Sequence, residues 1–306
     1  MTFHNITFDA ADSHLNWLDL MRALEKGHDL PKAQVRDVVI TRDPDTMLSR
    51  HAWIDGLGVA VKTAQIFPNN AAQNLPNING IVTLFDDVTG ILKATIDFHL
   101  VTKWKTAGDS VLAASKLARP DSNDILILGA GTLARTLVQS YSTLFPDARF
   151  HIWNRTASRA EELAAEFKNL PVACVSDLPK AVAGADIISC ATMSNTPVLK
   201  GEWLRPGQHV DLIGAYIPSM READDTALQR SRIFVDSFDT TLEHIGELID
   251  PLASGAIARA DVLADYYDLS SGNFKRQTDD EITLFKNGGG AHLDLMTADY
   301  ILKAMA

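Results

Sequence analysis

The stretch that most constrains the fold of this chain is ILILGAGTLA at residues 125–134, where an aliphatic run leads directly into two glycines. Four aliphatic residues in a row are typical of a strand buried on both faces, and the following LARTLVQSYSTL has helical spacing. In the pattern GxGxxA, Gly129 permits a tight turn, Gly131 lets the backbone approach a pyrophosphate, and Ala134 lets helix and strand pack closely. The helix N-terminus supplies free N–H groups and partial positive charge. The stretch therefore predicts a dinucleotide-binding turn.

Strand-like and helix-like segments alternate after this turn. RFHIWN is followed by ASRAEELAAEF and VACV by LPKAVAGA, and DIISCAT, HVDLIGA and RIFVDS come later. Such alternation predicts a parallel sheet with helices on both faces, a Rossmann-type doubly wound α/β domain over residues 120–287. The polar segment RPDSND at residues 119–124 is the predicted domain boundary.

The first 119 residues have a different pattern. HLNWLDLMRALEKGH at residues 14–28 predicts an amphipathic helix that ends near Gly27. Five β-like runs follow (QVRDVVIT, TMLSRHAWI, LGVAVKTAQIF, GIVTLFD and GILKATID), with hairpin chemistry at residues 86–90, and AGDSVLAASKLA at residues 107–118 is helix-prone. This part is predicted to be an α+β domain with a mainly antiparallel sheet.

Length and charge limit the classes of partner. The 306 residues exceed the usual size of one domain, and the net charge of −11 disfavours nucleic acid and anionic membranes. The chain shows no basic-apolar leader and no apolar run near the roughly 20 residues of a membrane span, and it contains only two cysteines, so a reduced, cytoplasmic protein is expected. Cys190, in DIISCAT, is interpreted as an inert core thiol.

The choice of coenzyme depends on the end of the second strand of the predicted doubly wound domain. An NAD site usually places an acidic residue there, on the ribose 2′-hydroxyl. This chain has Asn154, Arg155 and Thr156 instead, with Arg159 close behind. A guanidinium group suits a 2′-phosphate, so NADPH is predicted, with NADH as a weaker alternative. A plain surface role for Arg155 stays open.

The chain resembles the ornithine cyclodeaminase/mu-crystallin family in eight segments that occur in the family's order. They are VRDVV, VAVKTAQIFPNN, KTAGDS, ILGAGTLA, IWNRT, AVAGADII, GEWLRPGQHVDLIGA and READD. The resemblance implies a homodimer formed through the N-terminal sheet, a C-terminal helix (about residues 288–306) that rejoins a substrate and dimerisation domain of residues 1–119, and an active site in the cleft between domains. The coenzyme contacts predicted from motif and resemblance are Gly129, Gly131, Thr132, Leu133, Asn154, Arg155, Thr156, Arg159 and Thr192, and no metal site is predicted.

The same resemblance implies that Arg36, Lys62 and Lys105 bind a substrate carboxylate. Lys105 departs from the family, which commonly has Arg there. Independently, Lys62 stands in the apolar run LGVAVKTAQIF, where a buried ammonium group is costly unless it pairs with an anion. Exposure of Lys62 at a strand edge, and surface positions for Arg36 and Lys105, remain alternatives.

Four further residues have possible roles in catalysis. Where ornithine cyclodeaminases carry an Asp, this chain has Tyr216, which can hold or protonate an imine nitrogen but is a poor base for an ammonium group. Packing of the Tyr216 ring against the nicotinamide without proton transfer stays open. The family commonly has an Asp at the position of Asp294, which is predicted to be catalytic together with Lys62 and Tyr216. Asp109 is interpreted as a helical ion pair with Lys105 or a site residue, and His292 as a structural or proton-handling residue.

Together these features predict a ketimine reductase that uses NADPH to reduce a cyclic imino acid, Δ1-pyrroline-2-carboxylate, to L-proline. Δ1-piperideine-2-carboxylate, which would give L-pipecolate, is a possible second substrate. The alternatives are an ornithine cyclodeaminase, an alanine-type amino acid dehydrogenase, and a crystallin-like protein that binds NADPH without turnover. A cationic triad favours an enzyme, because a mere coenzyme binder needs no second, carboxylate-sized anion site.

Overall fold

A computed structural model describes residues 3–306, which form two compact units. Unit 1 contains the chain up to Gly108 together with Gly289–Ala306, and unit 2 is Asp109–Gly288. The boundary lies inside a helix, Phe98–Leu117, and not at the polar segment 119–124 where the sequence pattern placed it.

The strands are β1 His4–Ile6, β2 Gln34–Arg42, β3 Asp45–Ile54, β4 Gly58–Ile66, β5 Ile78–Phe85, β6 Leu92–Asp97, β7 Asp124–Leu128, β8 Arg149–Trp153, β9 Val172–Cys174, β10 Ile187–Cys190, β11 His209–Leu212, β12 Arg232–Val235, β13 Val262–Ala264 and β14 Thr283–Lys286. The α-helices are α1 Phe8–Ala11, α2 Trp17–His28, α3 Phe98–Leu117, α4 Thr132–Leu144, α5 Ala157–Glu166, α6 Leu178–Gly184, α7 Asp225–Gln229, α8 Phe238–Thr241, α9 Gly246–Ser254 and α10 Ala291–Met305.

Unit 1 contains a six-stranded sheet in the order β1-β6-β5-β4-β3-β2, antiparallel except where β1 pairs with β6. In β4, alternate residues from Gly58 to Ala64 are buried on one face, as a strand of period two requires. Helix α10 packs on β3, β4 and α2. The predicted antiparallel sheet is confirmed, and Lys62 lies on its buried face.

Two local features of unit 1 test the sequence patterns. The turn between β5 and β6 closes as predicted: Asp86 Oδ1 accepts from the Thr89 N–H at 2.9 Å, and Gly90 has φ of +66°. The helix predicted at residues 107–118 is too short, because α3 begins at Phe98. The Asp97 carboxylate accepts a hydrogen bond from the Leu100 N–H at 2.9 Å and so marks the start of the helix. The sequence pattern missed this start because aromatic and β-branched residues, which favour strands, follow Asp97.

Unit 2 contains an eight-stranded, wholly parallel sheet in the order β13-β12-β14-β11-β10-β7-β8-β9. The order reverses between β7 and β10, which defines a topological switch point, and dinucleotides bind at the carboxyl ends of strands beside such a point. The doubly wound α/β fold is therefore confirmed. Strands β13 and β14 and helix α9 extend it beyond the segments that the sequence pattern identified.

Across residues 3–306, none of the helices combines the length and apolarity that a membrane crossing needs. Within that same range, His, Cys, Asp and Glu side chains form no group of three or more suited to a metal ion.

Candidate active site

The glycine turn after β7 has the geometry of an anion cradle. Gly129 has φ of +119°, and a Cβ there would lie 2.5 Å from the Ala191 carbonyl oxygen, so a side chain is excluded. Gly131 caps the N-terminus of α4 and is exposed, with open space where its Cβ would be. Thr132 is exposed as well, whereas Ala134 is fully buried under the helix. The residues present therefore fit a pyrophosphate held by backbone N–H groups.

The carboxyl end of β8 lies directly beside this turn, because the Gly129 N–H donates to the Trp153 carbonyl at 2.8 Å. The next residues carry no acidic side chain: Asn154 donates from Nδ2 to the Thr156 carbonyl at 2.9 Å, and Arg155 is exposed. Arg159, in the first turn of α5, is exposed too. A cationic group is thus available where the ribose of a bound dinucleotide is expected.

On the other side of the switch point lie the loops after β10 and β11. Thr192 follows β10 and donates both its N–H, at 2.7 Å, and its hydroxyl, at 2.8 Å, to one oxygen of Glu222. Tyr216 lies in the loop after β11 and is 60% exposed. Tyr216 is therefore available to a ligand of unit 2.

The centre of the candidate substrate site in unit 1 is a buried ion pair. Lys62 Nζ donates to Asp294 Oδ1 at 2.8 Å, and the residues are 6% and 1% exposed. The alternative of an exposed Lys62 at a strand edge is wrong, because β4 lies between β3 and β5. The second oxygen, Asp294 Oδ2, is buried and has no hydrogen-bond partner among the residues described. A buried acceptor without a donor is costly, so Asp294 Oδ2 is suited to accept a hydrogen bond from a ligand.

Two more cations converge on the segment that precedes Asp294. Lys105, 6% exposed on α3, donates to the Gly289 carbonyl at 3.0 Å. Arg50, on β3, donates to the same carbonyl at 2.6 Å and pairs through Nε with Asp37 at 3.0 Å. We call Arg50, Lys62, Lys105 and Asp294 the cationic cluster. With Asp37, the partner of Arg50, counted as well, the three positive charges meet two negative charges, so the site has capacity for a further anion.

Burial and mutual charge set the ionisation of the cluster. Burial lowers the pKa of Lys62 from 10.5 to about 8, even though Asp294 raises it. Burial alone would raise the pKa of Asp294. The positive charges of Lys62, Lys105 and Arg50 outweigh that effect and lower the pKa below its usual value. At neutral pH the pair is therefore ionised, with Lys62 close to its titration range.

Arg36, predicted to complete the triad with Lys62 and Lys105, is placed elsewhere. It is exposed on the edge strand β2 and lies opposite His51, whereas Lys62 lies opposite Arg50. Because side chains alternate between faces along a strand, Arg36 is on the face opposite Lys62. Arg50 takes its place in the cluster.

The sequence did contain a signal for Arg50. The β3–β4 hairpin closes at Ile54 and Gly58, and its register places Arg50 opposite Lys62. Because a hairpin's register follows from its turn, the short sequence between these strands could have identified the pair.

His292 and Asp109, for which the sequence left two interpretations open, both contact other side chains of their own unit. His292, 1% exposed, packs edge-on to His28 at 5.3 Å between ring centroids. Burial, with the charge of Lys105, lowers the pKa of His292 to about 3, so the ring is neutral at pH 7 and is no proton donor as an imidazolium. Asp109 accepts a hydrogen bond from the Tyr266 hydroxyl at 2.6 Å within unit 2.

Known proteins are similar to this chain in sequence and in fold. The chain is 52% identical over 305 residues to a Δ1-pyrroline-2-carboxylate reductase of Paracoccus denitrificans, covering 98% of this chain and 96% of that protein. It is 33% identical over 243 residues to the ketimine reductase mu-crystallin of Rattus norvegicus, covering 79% of this chain and 75% of that protein. A Δ1-pyrroline-2-carboxylate reductase of Thermococcus litoralis, solved in complex with NADH and L-proline, superposes with a TM-score of 0.88 at 25% identity, over 98% of this chain and 96% of that one. The model of the ornithine cyclodeaminase/mu-crystallin family matches residues 32–306, and the chain belongs to that family.

Proposed function

We propose that this protein is an NAD(P)H-dependent oxidoreductase that reduces Δ1-pyrroline-2-carboxylate to L-proline. The observation that carries the proposal is the cationic cluster, whose buried Lys62–Asp294 pair and two further cations fit a small carboxylate. The names of three similar proteins support the same reaction: the Δ1-pyrroline-2-carboxylate reductases of Paracoccus denitrificans and Thermococcus litoralis, and the ketimine reductase mu-crystallin of Rattus norvegicus. Δ1-piperideine-2-carboxylate is proposed as a second substrate, because it differs by one methylene group.

The first task of the cluster is to hold the substrate. Lys62, Lys105 and Arg50 would bind the carboxylate, replacing contacts that two of them make to the Gly289 carbonyl in the unliganded chain. In a buried site these charges act at low dielectric, so the interaction is stronger than on the surface. Fixing the carboxylate fixes C2 of the ring, and orientation of this kind supplies much of the acceleration.

Asp294 would act on the imine nitrogen. A C=N bond accepts hydride readily only when its nitrogen is protonated, as an iminium ion. Asp294 Oδ2 is buried, ionised and without a donor among the described residues, so it is suited to accept a hydrogen bond from the iminium N–H. It stabilises the positive charge until hydride reaches C2, leaving the neutral amine of proline. Because its pKa is lowered, Asp294 keeps the proton on the nitrogen and does not supply it.

A nicotinamide coenzyme supplies the hydride. We propose NADPH as the preferred form, with NADH as the weaker one, on the absence of an acid after β8 and the exposed Arg155 there. The proposed contacts are those predicted from the sequence: Gly129, Gly131, Thr132, Leu133, Asn154, Arg155, Thr156, Arg159 and Thr192.

The identity of residue 216 argues against an ornithine cyclodeaminase, because this chain has Tyr216 where those enzymes carry an Asp. An ornithine cyclodeaminase must take a proton from an ammonium group, and a phenol is a poor base for that step. We propose that Tyr216 contacts the ring of coenzyme or substrate and that L-ornithine is not turned over. A binding protein without turnover would have no use for the buried cations of the cluster.

We also propose a homodimer that acts in the cytoplasm. The edge strand β2 exposes three consecutive apolar residues, with Val38, Val39 and Ile40 at 41%, 62% and 57% exposure. A second copy of the chain pairing along this part of unit 1 would remove the apolar surface from water. Size-exclusion chromatography with light scattering tests it, and a monomer at micromolar concentration contradicts it.

One panel of assays tests the proposed reaction. Loss of NADPH absorbance would be followed with Δ1-pyrroline-2-carboxylate, Δ1-piperideine-2-carboxylate, pyruvate plus ammonia, and pyruvate plus methylamine, and ammonia release with L-ornithine. We expect the five-membered ketimine to have the highest kcat/KM. Faster turnover of pyruvate plus ammonia would indicate an alanine-type dehydrogenase, and ammonia release from ornithine at a comparable rate would indicate a cyclodeaminase.

A further inference from the structure

The segment READD at residues 221–225 belongs to the family pattern but has no part in the reaction as described so far. Its Glu222 is fully buried in unit 2. A buried carboxylate is expensive and needs hydrogen-bond donors. The donors that surround Glu222 come from both loops beside the switch point of the sheet.

All four acceptor positions of this carboxylate are filled. Glu222 Oε1 accepts from the N–H and hydroxyl of Thr192, at 2.7 and 2.8 Å. Glu222 Oε2 accepts from the N–H groups of Gly214 and Ala215, at 2.6 and 3.1 Å. One carboxylate therefore joins the loop after β10 to the loop after β11, immediately before Tyr216.

A buried lysine donates hydrogen bonds to backbone carbonyls of the loop after β11. Lys286, fully buried at the end of β14, donates to the carbonyls of Leu212, Ala215 and Asn287 at 2.7 to 2.8 Å. The N–H of Ala215 is thus held by Glu222 and its carbonyl by Lys286. Both backbone groups of the residue before Tyr216 are fixed by charged partners.

Glu222 is itself held in place. Glu247, buried on α9, accepts from the N–H groups of Glu222 and Ala223 at 2.7 and 3.0 Å. Burial and the nearby Glu247 charge raise the pKa of Glu222 to about 8, while Lys286 and the Thr192 hydrogen bonds oppose that shift. The N–H and hydroxyl donors favour the ionised form of the carboxylate and so oppose the penalty that burial places on its charge.

The two loops lie where the nicotinamide half of a dinucleotide is expected. The pyrophosphate belongs at the turn after β7 and the adenosine ribose at the end of β8, so the other half extends over β10 and β11. The contact between turn and loop is direct, since a Cβ on Gly129 would strike the Ala191 carbonyl. Loss of the carboxylate would release both loops but leave the glycine turn and the β8 end intact.

We propose that Glu222, with Lys286 as its charge partner, is a positioning residue that fixes the loops holding the nicotinamide ring of the coenzyme. This inference rests on the proposed function. It assigns to Glu222 no contact with the coenzyme itself. Its effect is transmitted through Thr192 and the backbone before Tyr216.

The test compares the coenzyme with a fragment that lacks nicotinamide. NADPH and 2′-phospho-ADP-ribose would be titrated against the wild-type protein and Glu222→Gln, which keeps the side-chain shape but replaces one acceptor oxygen by a donor. We expect NADPH to bind Glu222→Gln about tenfold more weakly or worse, with affinity for the fragment changed less than about twofold. Asp224→Asn is the matched control: Asp224 accepts backbone N–H groups of Gly201 and Ala227 in the same segment, away from the two loops. It should bind both ligands as the wild type does.

Each result has a distinct meaning. Equal weakening of NADPH and the fragment by Glu222→Gln, or unchanged binding of both, overturns the inference. If Glu222→Gln does not fold, Glu222→Asp keeps the charge but is one methylene too short to reach both loops, and the same preferential loss of NADPH is expected. A wild-type protein that binds no nicotinamide coenzyme overturns the proposed function itself, and this inference with it.

Discussion

The glycine turn of unit 2 and the cationic cluster of unit 1 both suit an anion, but they are built in different ways. The turn is one continuous stretch, Gly129 to Ala134, and offers backbone N–H groups and a helix N-terminus in an exposed position. The cluster joins side chains from β3, β4, α3 and α10, and all of its members except the partly exposed Arg50 are buried. The difference indicates two kinds of ligand: a large phosphate group that stays partly hydrated, and a small carboxylate removed from water.

The largest expected effect comes from breaking the cluster at its centre. Lys62→Met keeps much of the side-chain volume but leaves Asp294 and the substrate carboxylate without their partner, and truncating such a pair costs about 2–5 kcal/mol. We expect kcat/KM for Δ1-pyrroline-2-carboxylate to fall more than about 30-fold, since each ~1.36 kcal/mol is tenfold. Coenzyme affinity, followed by NADPH fluorescence, should change less than about threefold. The control is Lys93→Met, because Lys93 is half-buried on β6 of the same sheet. This change should leave kcat/KM nearly unchanged.

A pH profile sharpens the same contrast. The pKa of Lys62 is lowered by burial to about 8, so the charge needed for carboxylate binding is present below that pH and lost above it. We expect deprotonation of Lys62 to lower kcat/KM about tenfold over each pH unit above 8, in addition to the fall caused by deprotonation of the imine, because kcat/KM reports ionisations of the free enzyme and the free substrate. Lys62→Arg keeps its charge at every accessible pH, so its kcat/KM, though lower, should fall less steeply and show only the effect of imine deprotonation. An equally steep fall in Lys62→Arg and in the wild type would assign the titration to a group other than Lys62.

The preference between NADPH and NADH tests the proposed coenzyme site of unit 2. Arg155→Ala removes the proposed partner of the 2′-phosphate, and a hydrogen bond to a charged group contributes about 1.5–3 kcal/mol. Because Arg155 is exposed, we expect a contribution at the lower end of this energy range. The ratio of kcat/KM with NADPH to kcat/KM with NADH should therefore fall about tenfold. Arg149→Ala, at the opposite end of β8, should leave the ratio unchanged. Equal use of both coenzymes by the wild type would contradict the assignment.

The smallest effect distinguishes two arginines on one sheet. Arg50 belongs to the cluster and its side chain is 21% exposed, whereas Arg36 is exposed on the other face of the sheet. We expect Arg50→Met to lower kcat/KM for the ketimine about fivefold, because a partly exposed cation contributes less than Lys62, and Arg36→Met to change it less than about twofold. A larger loss with Arg36→Met would restore the assignment that the family resemblance implied.

The same comparison explains what could be predicted from the sequence. The glycine turn and the strand–helix alternation are local patterns, and the fold they predicted is confirmed. The missing acid after β8 is a local pattern as well, and the NADPH preference that it indicates stays a prediction. Lys62 was recognisable because an ammonium group in an apolar strand is anomalous. Arg50 was not singled out, because only the β3–β4 register brings it opposite Lys62, and the orientation of Arg36 depends on which face of β2 it occupies. The surroundings of Glu222 also need tertiary structure, since its donors lie 7 to 30 residues away in the sequence.

The most direct test of the central claim compares two substrates that differ in the carboxylate alone. kcat/KM would be measured for Δ1-pyrroline-2-carboxylate and for 2-methyl-1-pyrroline, with the wild-type protein and with Lys62→Met. If the cationic cluster binds the carboxylate, the wild type should prefer the acid by more than about 1000-fold, as sites built for a polar group reject analogues that lack it. Lys62→Met should then lose activity on the acid more than about 30-fold beyond its loss on 2-methyl-1-pyrroline, because both substrates use Asp294, which Lys62 holds ionised, but only the acid uses the carboxylate contact. Equal losses on both substrates would show that Lys62 does not act through the carboxylate, and would contradict the account.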